Sequence, residues 1–303
     1  MREGRKLRFA ALALLASWAP CHAALAQRLR PRDVDALPSR AADHRIAYGT
    51  DSLQFGDLRL PNGSPPHPLV IVIHGGCWVS HFASLQNTAA LSDALRDAGV
   101  ATWNVEYRRL DHPGGGWPGT MADVAAATDY VRTLAKRFPL DTTRVIGIGH
   151  SAGGHLALWL GARRRLTSGS PLHVAHPLEL NGVVALGGPG DLADFTTYAA
   201  TICGTPVIER LLGGTPATVP DRYAQASPRA LLPLGTRQLL IVGADDGVMP
   251  ERARNAYVEA AMKAGDSAEA IVVPGGHFEV IAPTSTAWPT VRDAVLKLLA
   301  VSR

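Results

Sequence analysis

Cysteine is scarce in this sequence, with three residues in 303. No C-x-x-C pair and no cysteine–histidine spacing typical of zinc sites occurs, so we expect neither a structural metal nor a metal cofactor. Beyond residue 26 only Cys77 and Cys203 remain, too few for a disulfide framework, and the sequence does not say whether they pair. Because 47% of the residues are hydrophobic, the chain can instead bury a sizeable core.

The sequence also lacks a strong excess of either positive or negative charge. The chain has 30 lysines and arginines against 26 aspartates and glutamates, a formal charge of +4. Residues 1–26 carry a net charge of +3, so the remainder is nearly neutral. A nearly neutral chain gives no electrostatic argument for a nucleic-acid partner. No apolar run reaches the roughly 20 residues of a membrane-spanning helix, so we expect no membrane span.

The first 26 residues have the organisation of a secretory signal peptide. A basic start, residues 2–8, precedes the apolar stretch 9–18, and Ala24-Leu25-Ala26 forms an A-x-A cleavage site. An N-terminal membrane anchor is the alternative, but about ten apolar residues are too few to cross a bilayer. We therefore predict a secreted or periplasmic protein.

The remaining sequence predicts one α/β domain. Residues 27–45 are basic and aperiodic, so we interpret them as an N-terminal extension over the surface of a domain that spans residues 46–303. Strand-like alternation near residue 46 predicts an antiparallel start. Apolar runs such as 69–73 then alternate with helical segments. This succession predicts a doubly wound, mostly parallel sheet with helices on both faces.

Two longer segments between the predicted strands are also informative. Residues 121–138 have the pattern of one long helix that ends at Pro139. Residues 187–235 are irregular and rich in glycine and proline, and we expect them to shape the mouth of a pocket rather than a second domain.

A G-x-S-x-G motif, residues 149–153, lies between the apolar run 145–148 and a helical pattern. A serine at such a strand-to-helix turn exposes its hydroxyl on a strained backbone, and the helix N-terminus adds partial positive charge where an oxyanion would form. Chance alone gives about 0.1–0.2 such matches in 300 residues. Ser151 is therefore a candidate nucleophile only if an acid and a base accompany it.

An acid and a base follow at the ends of later predicted strands. The apolar run 239–242 leads through Gly243 and Ala244 to Asp245 and Asp246. We favour Asp246, four residues before the proline that opens the next helix, and keep Asp245 as the alternative. His277 is the only histidine after this acid and lies beyond the last predicted strand. The order serine, aspartate, histidine differs from that of trypsin-like and subtilisin-like proteases.

The sequence His74-Gly75-Gly76-Cys77-Trp78 directly follows the buried run 69–73. Its glycines let the backbone present N–H groups to a substrate oxygen, so we expect Gly76, Cys77 and Ala152 to form an oxyanion hole. The sequence does not say which groups of this loop point inward. Three aromatic residues on predicted loops either line a substrate pocket or pack in the core: Trp78, Phe82 and Trp117.

These motifs together resemble the α/β-hydrolase superfamily, and within it the small HGGxW-type carboxylesterases and the kynurenine formamidase-like enzymes. The likeness also includes N-V-E-Y-R at 104–108 and G-G-T-P at 213–216, and it covers about residues 46–300. The resemblance implies the α/β-hydrolase fold and hydrolysis, without a cofactor, of a small or medium carboxylic ester through an acyl-enzyme on Ser151. An aryl formamidase with the same three residues is the alternative, and a catalytically silent binding module is a third interpretation. The oligomeric state stays open.

Overall fold

Eight strands form one sheet in the computed structural model, which describes residues 28–300. The strands are β1 (His44–Ala47), β2 (Phe55–Arg59), β3 (His67–Ile73), β4 (Ala101–Val105), β5 (Leu140–His150), β6 (Gly182–Leu186), β7 (Arg237–Gly243) and β8 (Ala268–Val273). Their order across the sheet is β1-β2-β4-β3-β5-β6-β7-β8. Strands β3 to β8 run parallel, whereas β1 pairs antiparallel with β2, and β2 with β4. The predicted mostly parallel sheet with an antiparallel start is confirmed.

Helices cover both faces of this sheet. The helices are α1 (Pro31–Asp35), α2 (Ala89–Asp97), α3 (Gly119–Asp129), α4 (Val131–Leu134), α5 (Ala152–Ala162), α6 (Leu192–Ile202), α7 (Val207–Leu212), α8 (Pro220–Ala226), α9 (Glu251–Lys263) and α10 (Trp288–Ala300). Helices α2 and α10 contribute to the core on one face, and α3, α5 and α9 to the core on the other. No helix of the described residues has the length and hydropathy needed to cross a membrane.

The buried run of β3 shows why this strand does not alternate between apolar and polar residues. Leu69, Ile71 and Ile73 belong to the core on the α5 face, whereas Val70 and Val72 belong to the core on the α10 face. All five are fully buried. Since helices cover both faces, each successive side chain of the strand needs to be apolar.

Two details of the predicted secondary structure are wrong. The single helix expected over 121–138 is divided at Tyr130 into α3 and α4. The segment 187–235, expected to be irregular, contains α6, α7 and α8. Asp191 caps the N-terminus of helix α6, and its carboxylate accepts hydrogen bonds from the N–H groups of Ala193 and Asp194. This capping aspartate was the sequence signal for the missed helix.

The described part of the N-terminal segment, residues 28–43, packs on the domain. Residues 1–26, the predicted signal peptide, lie outside the described residues, and the boundaries predicted at 27 and 46 stay predictions. Within the predicted extension, residues 31–35 form α1, and β1 begins at His44. Val34 of α1 is 1% exposed and belongs to the core beneath α2 and α10.

Candidate active site

Ser151 connects the carboxyl end of β5 to the first turn of α5, with a positive φ of 52° and a ψ of −119°. A positive φ is strained for a residue with a Cβ. Close packing makes glycine necessary on both sides, because a Cβ at Gly149 would lie 2.0 Å from the carbonyl oxygen of Gly153, and a Cβ at Gly153 would lie 2.2 Å from that of Ile73. Ala152 is the first residue of α5, so its N–H has no partner within the helix.

His277 and Asp246 lie together after β8 and β7. The Nδ1–H of His277 donates to Oδ2 of Asp246 at 2.9 Å and to Oδ1 at 3.1 Å. Oδ1 also accepts from the N–H groups of Val248 and Met249 at 2.8 and 3.0 Å. Burial alone would raise the pKa of Asp246, but His277 and these two donors outweigh it and hold the pKa below its usual range. The carboxylate is therefore ionised and fixed in position.

The structure brings Asp246 rather than Asp245 to the histidine. Asp245 points to solvent, with 60% of its side chain exposed, and pairs with Arg28. Asp246 by contrast has 2% of its side chain exposed. Both aspartates follow β7, but only one faces the edge of the sheet where Ser151 and His277 lie.

His150, next to the serine, lies under His277. Its Nε2–H donates to the main-chain carbonyl of His277 at 2.9 Å, and the two imidazole centroids are 4.6 Å apart. Burial and the neighbouring His277 lower the pKa of His150 to about 3, so this ring is neutral at pH 7. His155, on the next turn, donates from Nε2 to the carbonyl oxygen of Ala226. Neither histidine is placed as a second base.

The loop after β3 passes beside Ser151. Gly76, Cys77 and Trp78 all have positive φ, at 99°, 52° and 55°. A Cβ at Gly75 would lie 3.1 Å from the Cβ of Ser151, so a larger residue there would crowd the serine. Gly76 and Cys77 line the same cavity as Ser151, so the backbone of this loop forms part of the candidate site.

A buried cluster of polar and charged side chains around Glu106 anchors the start of this loop. Glu106 accepts hydrogen bonds from Nε2 of His74 at 2.9 Å and from the N–H of Tyr107 at 3.0 Å, and the guanidinium of Arg109 lies 3.3 Å away. Although burial opposes ionisation, His74 and Arg109 lower the pKa of Glu106 to about 2. The hydroxyl of Tyr107 donates to the carbonyl of His74 at 2.9 Å. These contacts fix the start of the loop.

A cavity of about 200 Å³ opens beside the serine. Six of the residues that line it are Gly76, Cys77, Phe82, Ser151, Ile202 and His277. Of the predicted aromatic pocket residues, Phe82 lines this cavity. Trp78 does not: it is 2% exposed and packs edge-on against His155. Trp117 packs against the same core.

Another depression, of about 620 Å³, lies at the opposite edge of the sheet beside Arg163 and Arg237. None of the residues that converge at Ser151 line it, so the smaller cavity is the candidate site. Among the described residues, no group of three histidine, cysteine, aspartate or glutamate side chains could hold a metal ion.

Cys77 and Cys203 form a disulfide bond, with their Cα atoms 6.1 Å apart and a sequence separation of 126. The bond joins the loop after β3 to the C-terminal end of α6. Both cysteines are half-buried, and Cys77 and the neighbour of Cys203, Ile202, line the cavity. The disulfide therefore connects two walls of the cavity.

The chain is similar to several proteins that are named as esterases. The chain is 28% identical over 223 residues to esterase LipC of Mycobacterium tuberculosis, a match that covers 71% of this chain and 54% of LipC. The chain thus spans about half the length of that relative. It is 26% identical to the truncated form of a carbohydrate esterase from gut microbiota, with a TM-score of 0.71 over 85% of this chain and 95% of that one.

The fold is also that of esterase B from Lactobacillus rhamnosis, with a TM-score of 0.74, 18% identity and 89% of each chain covered. A family model, BD-FAE, matches residues 57–258. This match spans most of the sheet, the loop after β3, Ser151 and Asp246. The chain therefore belongs to the BD-FAE family and is an α/β-hydrolase.

Proposed function

We propose that this protein is a serine carboxylesterase that forms an acyl-enzyme on Ser151. The observation that carries the proposal is the arrangement at one edge of the sheet. Ser151 is held at a strained strand-to-helix turn and lines a cavity together with His277, whose Nδ1 is 2.9 Å from Asp246. A nucleophile, a base and a group that orients the base are the parts that acyl transfer requires.

In the acylation step, Nε2 of His277 takes the proton of the Ser151 hydroxyl as Oγ attacks the ester carbonyl. Asp246 keeps Nδ1 protonated, so that Nε2 is free to accept, and stabilises the imidazolium that forms. The carbonyl oxygen becomes negatively charged and accepts hydrogen bonds from the N–H groups of Gly76, Cys77 and Ala152. The intermediate collapses when His277 gives its proton to the departing alcohol.

In the deacylation step, water takes the place of the alcohol. His277 accepts a proton from the water as its oxygen attacks the acyl carbon. The proton then passes to Oγ of Ser151, and the carboxylic acid leaves. No cofactor takes part in these steps, because the chain supplies the nucleophile, the base and the oxyanion donors.

The size and lining of the cavity favour esters of short or medium carboxylic acids as substrates. Its volume of about 200 Å³ and its wall of Phe82, Ile202 and Val248 suit an apolar acyl group. The names of the matched relatives, two esterases and a carbohydrate esterase, agree with ester rather than formamide hydrolysis. Cleavage of an aryl formamide by the same three residues is the competing activity.

We also propose that the protein is exported. The basic, apolar and A-x-A regions of residues 1–26 support a signal peptide, and the Cys77–Cys203 disulfide is in keeping with an oxidising compartment. Mass spectrometry of the protein recovered from the periplasm or medium tests this: we expect a chain that begins at Gln27. An unprocessed chain in the cytosol would contradict it.

The activity is tested on the mature protein with p-nitrophenyl acetate, butyrate and octanoate, in parallel with N-formylkynurenine. We expect hydrolysis of the esters, labelling by a fluorophosphonate probe, and loss of both in Ser151→Ala with an unchanged melting temperature. Preferred hydrolysis of N-formylkynurenine would favour the formamidase. Ester hydrolysis that persisted in Ser151→Ala would contradict the proposed mechanism.

A further inference from the structure

The segment 28–35, here called the N-terminal arm, contacts the loops on both sides of the cavity, although it lies outside the residues that the family model matches. The N–H of Leu29 donates to Oε1 of Glu279 at 2.7 Å. The guanidinium of Arg28 donates to the carbonyl of Asp245 at 3.0 Å. The arm therefore touches the loop after β8 and the loop after β7.

Glu279 connects the arm to the segment 274–278 after β8, here called the histidine loop because it carries His277. While Oε1 accepts from Leu29, Oε2 accepts from the N–H of Gly276 at 2.9 Å, the residue directly before His277. An ionised carboxylate can accept both bonds at once, because each oxygen offers its own lone pairs. One side chain thus links the arm to the backbone that carries His277.

The two glycines before His277 make this contact possible. Gly275 has φ 110°, and a Cβ there would lie 2.7 Å from the Cβ of Glu279. A Cβ at Gly276 would lie 3.1 Å from Oε2 of Glu279 and 3.4 Å from Cδ of Arg28. Glycine is therefore required at 275, whereas a side chain at 276 would displace the Glu279 carboxylate slightly.

The other end of the arm is fixed to the opposite side of the cavity. Asn87 donates from Nδ2 to Oδ1 of Asp35 at 3.0 Å and approaches the carbonyl of Pro31 at 3.4 Å. Asn87 and Pro31 both line the cavity beside Ser151. Val34, between these contacts, is fully packed in the core and holds α1 in place.

We propose that Glu279 is a positioning residue that aligns His277 through its contact with the N-terminal arm, and that Pro31 of the arm forms a wall of the acyl-binding cavity. The proposal rests on the proposed ester hydrolysis. The arm restrains the histidine loop through Glu279, and His150 restrains it through the carbonyl of His277. The Pro31 ring limits the space that an acyl chain can fill.

Glu279→Gln tests the positioning role. Glutamine has one acceptor oxygen and one NH₂ group. It can accept from only one of the two backbone N–H groups, of Leu29 or of Gly276, so one of these hydrogen bonds is lost. We expect kcat for p-nitrophenyl acetate to fall about tenfold with KM within twofold, because small misplacements of a catalytic group reduce turnover. Asp33→Asn is the matched control, since the Asp33 carboxylate bonds to Arg30 within the arm, away from Glu279 and Pro31, and kcat of this variant should stay within twofold.

Pro31→Ala tests the cavity wall without touching the carboxylate. Alanine suits the first turn of α1, and loss of the ring should raise kcat/KM for octanoate relative to acetate at least threefold. A wild-type protein that hydrolyses no ester would contradict the proposed function. An active wild type with equal kcat in Glu279→Gln would overturn the positioning role alone, and an unchanged octanoate-to-acetate ratio in Pro31→Ala would overturn the wall.

Discussion

The imidazole of His150 donates a hydrogen bond to the main-chain carbonyl of His277, at 2.9 Å. Because burial holds the His150 ring neutral at pH 7, the contact adds no positive charge beside the proposed base. The residue before the proposed nucleophile thereby contacts the backbone of the residue that would activate it. Ser151 follows β5 and His277 follows β8, and these strands are not neighbours in the sheet. The hydrogen bond from His150 therefore joins two loops that no strand pairing holds together.

Removal of this donor is expected to reduce turnover. In His150→Phe the ring volume stays but the carbonyl of His277 loses its partner, and we expect kcat for p-nitrophenyl acetate to fall about tenfold, with KM little changed. His150→Gln, which keeps an amide donor, should retain more of the activity. Steady-state kinetics of both variants measure this, and an unchanged kcat in His150→Phe would show that the contact does not position His277.

The two adjacent aspartates offer a matched pair of substitutions. Asp246→Asn replaces an acceptor of the Nδ1–H bond by an amide, so the wrong tautomer of His277 is favoured, and kcat should fall on the order of 10³- to 10⁴-fold. Asp245→Asn, at an exposed position, should stay within threefold of wild type. Turnover of p-nitrophenyl butyrate by both variants is the measurement. Equal losses in the two would contradict the assignment of Asp246.

The sequence predicts the strands and the order of the site residues because their signals are local. A run such as 69–73 is apolar because both faces of β3 are covered, and Gly149 and Gly153 flank Ser151 because two backbones meet there. Each of these patterns fits within about ten residues. The position of Asp246 and His277 after later strands then follows from the parallel sheet.

Contacts between distant segments are not predictable from local patterns. Leu29 and Glu279 are 250 residues apart in sequence, and Cys77 and Cys203 are 126 apart. The burial of Trp78 depends on where His155 and α5 lie. In a single sequence nothing records such pairings, so the arm, the disulfide and the lining of the cavity needed the three-dimensional structure.

The Cys77–Cys203 disulfide is expected to stabilise both the fold and the loop after β3. It closes a long loop of chain, so the double variant Cys77→Ser/Cys203→Ser should lose about 2–4 kcal/mol of unfolding free energy. We also expect kcat to fall in wild type treated with a phosphine reductant, since the loop beside Ser151 is released from α6. Reductant should not alter the activity of the double variant, and a wild type insensitive to reduction would contradict the prediction for kcat.

Ile202 at the end of α6 is expected to limit the length of the acyl group. Ile202→Ala removes apolar volume from the cavity wall, so kcat/KM for octanoate relative to acetate should rise about tenfold, the range in which a hydrophobic pocket discriminates methylene groups. Met262→Ala, on an exposed position of α9, is the control and should leave the ratio unchanged. The same profile in all three proteins would mean that acyl chains do not reach Ile202.

Stability is expected to fall on acidification because of buried neutral histidines. Burial lowers the pKa of His155 to about 4, below the 6.5 of an unfolded histidine, so the unfolded chain binds a proton first as the pH falls. The stabilisation from this residue is complete above pH 6.5 and is lost as the pH falls toward 4, which amounts to about 2 kcal/mol between pH 7 and pH 5. In His155→Gln, urea denaturation should show a pH dependence smaller by about this amount. His176→Gln, at an exposed site, should keep the wild-type slope, and equal slopes in all three proteins would contradict the prediction.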